Sequence, residues 1–203
     1  MLREASRQET RDGIIDAAER LLERYGYSKM TMTDLAEEAG IGVGTTYLYF
    51  PGKIDVALAV LERQPSRVRA RLEEITAETL SPGEKLRMML MDRLTLRYES
   101  ARKRRHQIEE FKKAVQSAVE ERRAGWLAAE AEIMAAVLDE GRKTGVFEFN
   151  NSSETAATLI RATSSMAPRN LTQQEFEHPE EYYQHLDQIV TLLLRGLQNH
   201  SQV

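Results

Sequence analysis

The sequence predicts an all-α protein of about nine helices, and three observations carry that prediction. Apolar residues return at three- and four-residue spacing along most of the chain. In "TRDGIIDAAERLLERY", Ile14, Ala17, Ala18, Leu21, Leu22 and Tyr25 share one face, and Asp16, Glu19, Arg20 and Glu23 the other. Residues that start and stop helices stand at the ends of these periodic runs. No stretch alternates apolar and polar residues as a half-buried strand does, and no hairpin signal joins two such stretches.

The first helix ends at "YGY", with Gly26 suited to the left-handed residue that closes a helix. The second opens at Thr31, with Asp34 three places on as a variant capping box, and Gly40 stops it. A third helix is predicted over Val43 to Phe50, before the turn at Pro51 and Gly52. The next begins at Lys53, and Pro65 is expected to kink or interrupt it. Ser81, Pro82 and Glu84 form another start signal, followed by helix to about Thr144 with breaks expected near Ser100 and Ser117. Gly145 ends that run, and Ser152 or Ser153 opens a helix to about Ala167. A polar loop, "PRNLTQQEFEHPEE", leads to the last helix, "YYQHLDQIVTLLLRGL". No internal repeat is visible, and the expected division is residues 1–52 and 53–203.

Composition narrows the function classes. With 203 residues, 41% hydrophobic and 30% charged, the chain can bury a real core. No apolar run reaches the ~20 residues that cross a bilayer, so no membrane partner is expected. The start, "MLREASRQETRDG", has charges and no apolar run behind it, which speaks against a secretory signal and for a cytoplasmic place. Zero cysteines exclude disulfides, thiolate metal sites and a cysteine nucleophile. His178, His185 and His200 lie near acids, but too few ligands converge for a metal site. The run "ARKRRHQ" reads as a solvated helix face. No nucleophile elbow, phosphate loop or dinucleotide fingerprint is present, so neither catalysis nor a cofactor is expected. A net charge of -4 argues against a protein coated in nucleic acid but leaves a local footprint open.

That footprint is predicted at "AGIGVGTTYLYFPGK". Two short helices joined by a glycine-containing turn make a helix-turn-helix, with Leu35, Ala39, Ile41, Thr46 and Tyr49 turned inward and small Ala36 at the crossing. A second helix this poor in bulk suits close approach to the major groove. Gly44 permits that approach, and Val43 and Thr45 offer methyl groups to thymine. Tyr47 and Tyr49 are long enough for phosphates, and Lys53 favours a phosphate at the next helix start. Arg3, Arg7, Arg11, Lys29 and Lys53 are expected to gather on the DNA side, with Asp12, Asp16, Glu19, Glu37 and Glu38 turned away.

Here "TMTDLAEEAGIGVGTTYLYFPGK" resembles the signature of the tetracycline-repressor (TetR) family of bacterial regulators, over roughly Gly13 to Leu61. The resemblance implies that Thr31, Thr33, Tyr47, Tyr49 and Lys53 meet the DNA backbone while Val43, Gly44 and Thr45 face bases. Gly42 and Val43 depart from the polar residues usual in the family, which shifts specificity toward methyl contacts and DNA shape.

The remainder carries apolar and aromatic residues suited to an adaptable pocket: Met88, Met91, Tyr98, Phe111, Trp126, Met134, Phe147 and Met166. The resemblance implies a small-molecule effector there. The last helix is apolar over more of its circumference than one core face needs, which points to an interface at Leu159, Ile160, Leu186, Ile189, Val190, Leu193 and Leu197. In the family such helices build a homodimer, which implies a palindromic operator. The reading is a DNA-binding transcriptional regulator, a repressor released by its effector. The alternative is a helical ligand-binding or scaffold protein without sequence-specific DNA binding.

Overall fold

The computed structural model describes residues 2–103 and 108–198, with side chains described over 5–102 and 115–198. Among them run nine α-helices: α1 (Leu2–Lys29), α2 (Met32–Ala39), α3 (Val43–Tyr49), α4 (Lys53–Ala77), α5 (Pro82–Lys103), α6 (Ile108–Lys143), α7 (Ser152–Ala162), α8 (Gln173–Glu177) and α9 (Pro179–Leu197). Short 3-10 turns lie at Thr163–Met166 and Pro168–Asn170. Among the described residues the β pairing is a single bridge, Phe147 with Gln198.

Several boundaries differ from expectation for local reasons. The first helix starts well before Thr10, because the Ala, Arg, Glu and Gln of its opening turns are good helix formers even where exposed. Gly26 does break it, at φ 75°. Pro65 lies inside α4 without ending it. Buried Val56, Ala59 and Val60 before the proline and Val68, Leu72 and Ile75 after it hold the helix on both sides. Ser117 breaks nothing: it sits within α6, where one serine is a small helix penalty beside the packing of Val115 and Val119. Asn151, not Ser152 or Ser153, caps α7, accepting from the Glu154 amide at 3.1 Å. The polar loop before α9 holds the short α8, started by a capping box of Thr172 and Glu175.

The chain forms two compact units, residues 1–63 with 104–122, and residues 64–103 with 123–203. The first therefore extends past Lys53 into α4. Val56, Ala59 and Val60 belong to its core with Ile14, Ile15, Leu21, Met30, Leu35 and Phe50. Ala57 packs with Val115. Arg63 fastens α4 to α1, reaching Asp16 at 2.6 Å, Glu19 at 3.1 Å and the Asp12 carbonyl at 3.0 Å.

The second unit has a larger core drawn from α4, α5, α6, α7 and α9, including Leu72, Leu90, Met134, Leu138, Leu186 and Val190. Phe147 closes it after Gly145, at φ 74°, turns the chain. Its ring lies where a side chain on Gly141 would be, 2.1 Å from the position of an added Cβ. Charge is buried here too. Glu130 accepts from Arg93 Nε at 3.1 Å and from Arg97, and Arg93 reaches the Thr163 hydroxyl at 3.0 Å.

Candidate nucleic-acid interface

The α2–α3 segment is shaped by its caps. The Asp34 amide donates to Thr31 Oγ1 at 3.1 Å while the Asp34 carboxylate accepts from the Thr31 amide at 3.0 Å, so two free N–H groups are satisfied at once. Gly40 ends α2 in the left-handed conformation at φ 69°, where a side chain would be strained. Gly42 opens α3 with no side-chain cap. The result is a seven-residue helix held by its inner side. Thr46 is fully buried and Phe50 is 3% exposed, whereas Val43, Tyr47 and Leu48 are 38%, 51% and 78% exposed. The Thr46 hydroxyl has no hydrogen-bond partner among the described residues. At Gly44 an added Cβ would meet nothing within 4 Å.

The DNA-facing residues expected from sequence fall into two groups. Val43, Gly44 and Tyr47 are exposed on the outer side of α3, with Thr45 half-buried beside them, and Thr31 and Thr33 are exposed near the start of α2. The Thr31 hydroxyl is committed, bonded to Asp34 at 2.7 Å. Tyr49 is half-buried and lines a cleft of about 590 Å³ with Ala5, Arg7, Gln8, Arg11 and Leu48. Two of the expected bases thus border α3. Arg11 also stacks over the Phe50 ring at 5.3 Å. Lys53 is half-buried, its ammonium 4.3 Å from the Tyr27 ring centre and 3.1 Å from the Ser28 carbonyl. Lys29 is exposed, and the Arg3 side chain lies outside the described residues.

Much of the acidity of this unit is engaged internally. Glu38 pairs with Arg20 at 2.6 Å and Arg24 at 3.2 Å, and the Arg20 hydrogen bond holds its carboxyl below the usual range. Asp16 and Glu19 are taken by Arg63. Sequence reasoning missed Leu48, an apolar residue on the polar side of α3. Its signal was present in the periodicity, since 48 falls opposite the buried Thr46 face.

In the second unit, Tyr98, Met134, Phe147 and Met166 are buried within the packed core, and Met88, Met91 and Trp126 are half-buried. Phe111 lies outside the described side chains. Of the expected interface residues, Leu159, Ile160, Leu186 and Val190 are covered inside the chain itself, while Ile189, Leu193 and Leu197 are half-buried. The most exposed apolar residue of α9 is Leu192, at 67%. No group of three or more potential metal ligands occurs among the described residues, and none of their helices is long and apolar enough to cross a membrane.

Residues 14–60, which hold the whole α2–α3 segment, match the family of bacterial regulatory proteins described as the tetR family. The HTH-type transcriptional repressor KstR of Mycobacterium tuberculosis is 31% identical over 85 residues, 42% of this chain and 39% of that protein. The fatty acid metabolism regulator protein of Bacillus subtilis is 31% identical over 83 residues, 41% of this chain and 43% of that protein. The matched segment thus spans about two fifths of the length of these curated relatives. Across the fold, a TetR transcription regulator from Haloarcula marismortui superposes with a TM-score of 0.68 at 18% identity, covering 95% of this chain and all of that one, 100%. Capped α2, the glycine turn and the thinly clad α3 all lie within this match, and through it residues 14–60 belong to the tetR family of bacterial regulatory proteins.

Proposed function

We propose that this protein is a DNA-binding transcriptional regulator, a repressor that binds a palindromic operator as a homodimer in the bacterial cytoplasm and leaves it when a small-molecule effector binds. The observation that carries the reading is the two-sidedness of α3: Thr46 and Phe50 are sunk in the core while Val43, Tyr47 and Leu48 are exposed and Gly44 faces open space. A segment so shaped fits the major groove, with methyl groups from Val43 and Thr45 toward bases and the Tyr47 phenol toward phosphate. Arg7 and Arg11 at the adjoining cleft supply positive charge beside it. The likeness of residues 14–60 to repressors supports this use.

Dimerisation through α7 and α9 is proposed from the apolar stripe of Ile189, Leu192 and Leu193, which stays partly uncovered in the single chain. The effector is assigned to the second unit. It releases the operator only to the extent that it binds the DNA-free form more tightly. The family supports a role without catalysis.

A titration of the full chain against a labelled fragment from upstream of its own gene tests the reading. Sequence-selective binding that weakens steeply as salt rises is expected. Binding that is absent on that fragment and on every promoter of the neighbouring genes overturns it.

A further inference from the structure

The second unit holds a charge arrangement that DNA binding leaves unused. On α5, Arg93 and Arg97 are one helical turn apart on one side. On α6, Arg123, Trp126 and Glu130 fall on one stripe. The two helices run antiparallel here, since Lys85 meets Glu140 at 3.2 Å and Arg93 meets Glu130 at 3.1 Å. Continued, that register brings Arg123 level with the part of α5 just beyond Arg97.

Glu130 is 1% exposed, and both of its carboxylate oxygens are engaged, one by Arg93 and the other by Arg97. Arg169 stands in the 3-10 turn Pro168–Asn170, which packs against α5. Arg169 is exposed; partial desolvation, and then repulsion from Arg123 and Arg97, push its guanidinium pKa down. Among the described residues neither Arg123 nor Arg169 has an ion pair or hydrogen bond. Of Arg97, Arg123 and Arg169, only Arg97 has a carboxylate partner among the described residues.

Like charges held together beside a buried ion pair are unfavourable, and an anion resolves them. We infer that Arg97, Arg123 and Arg169 form a binding site for the anionic head, carboxylate or phosphate, of a small-molecule ligand. Planar guanidiniums offer such a head paired N–H donors, and Arg97 keeps a second N–H on each terminal nitrogen after its bonds to Glu130 and the Arg93 carbonyl. Buried Arg93 and Glu130 fix Arg97 in place, and Trp126, one turn from Arg123, supplies an apolar wall for the ligand body. The inference deepens the regulator reading and rests on it for what the site is used for.

The test uses the full chain and no DNA. Thermal unfolding is followed in phosphate and in chloride at matched ionic strength for the wild type and for the double variant Arg123→Gln with Arg169→Gln. Phosphate is expected to raise the wild-type midpoint above chloride, and the double variant, folded with an unchanged or higher midpoint, to lose that gain. Octanoate and octyl phosphate are expected to bind the wild type about tenfold more tightly than octanol, and the double variant with a preference below about threefold. Whichever of the two anions binds more tightly identifies the head group. Octanol binding as well as the anions, or anions acting alike on wild type and variant, including no action on either, overturns the inference. If operator binding survives that outcome, the regulator reading stands and only this site is lost.

Discussion

The outer face of α3 turns its chemistry toward solvent, whereas the charged cluster of α5 and α6 buries its own. On α3, Val43, Tyr47 and Leu48 are exposed and Gly44 leaves open space. In the cluster, Arg93 and Glu130 are 3% and 1% exposed, and each satisfies the other. Two helical glycines repeat the contrast: a Cβ at Gly141 would meet the Phe147 ring at 2.1 Å, and one at Gly44 would meet nothing within 4 Å. Gly125 and Gly196 also face open space, so emptiness alone marks no site. At Gly44 it coincides with three exposed large apolar neighbours on a helix only seven residues long. A residue whose replacement disturbs nothing inside the molecule owes any constraint on its identity to something outside.

The comparison can be broken first at the cluster. Glu130→Ala leaves Arg93 and Arg97 without their carboxylate in a buried site, and a loss of about 3–5 kcal/mol is expected in urea unfolding. A loss below about 1 kcal/mol, the range of an exposed pair, contradicts the internal role assigned to this charge. Next comes Gly141→Ala, which drives a methyl into the Phe147 ring. It should destabilise by about 1–3 kcal/mol and lower the thermal midpoint accordingly. An unchanged midpoint shows that the ring gives way freely.

Within the first unit the expected effects are smaller and of opposite sign. Thr46 is buried with its hydroxyl unpaired, so Thr46→Val, of similar shape, should stabilise by about 1 kcal/mol in the same urea titration. A destabilised Thr46→Val protein means the hydroxyl has a partner. Smallest is Gly42→Ser, which gives α3 the cap it lacks. The new Cβ lies 3.8 Å from Thr45 Oγ1, an ordinary contact, and a gain of only a few tenths of a kcal/mol is expected by calorimetry.

The same contrast explains what could be read before the structure. Caps and periodicity are local: the Thr31 and Asp34 box, the Ser81 and Glu84 start and the positive φ at Gly26, Gly40 and Gly145 all stand where the sequence places them. The whole α2–α3 segment was therefore legible, since its inner and outer faces follow from spacing within fifteen residues or so. Pro65 does not interrupt α4 and Ser117 does not break α6, because packing on either side outweighs a local penalty. The cap of α7 was missed by one residue because Asn151 competes with two adjoining serines. The Arg93–Glu130–Arg97 network was out of reach. It joins residues on different helices that no motif links, and Glu130 looks in sequence like any acid on a solvated face. Likewise Leu159, Leu186 and Val190 read as interface candidates, because spacing says that a residue is apolar and on a face but not which neighbour covers it.

The central claim is that the outer face of α3 is shaped for a duplex that lies outside the protein. Gly44→Leu tests it most directly, with stability and operator affinity measured on the same full-chain sample. Replacing a helical glycine where a side chain has free space should leave stability unchanged or raise it by about 0.5–1 kcal/mol, while affinity for the operator falls by about tenfold or more. Affinity retained within about twofold in a folded Gly44→Leu protein contradicts the claim.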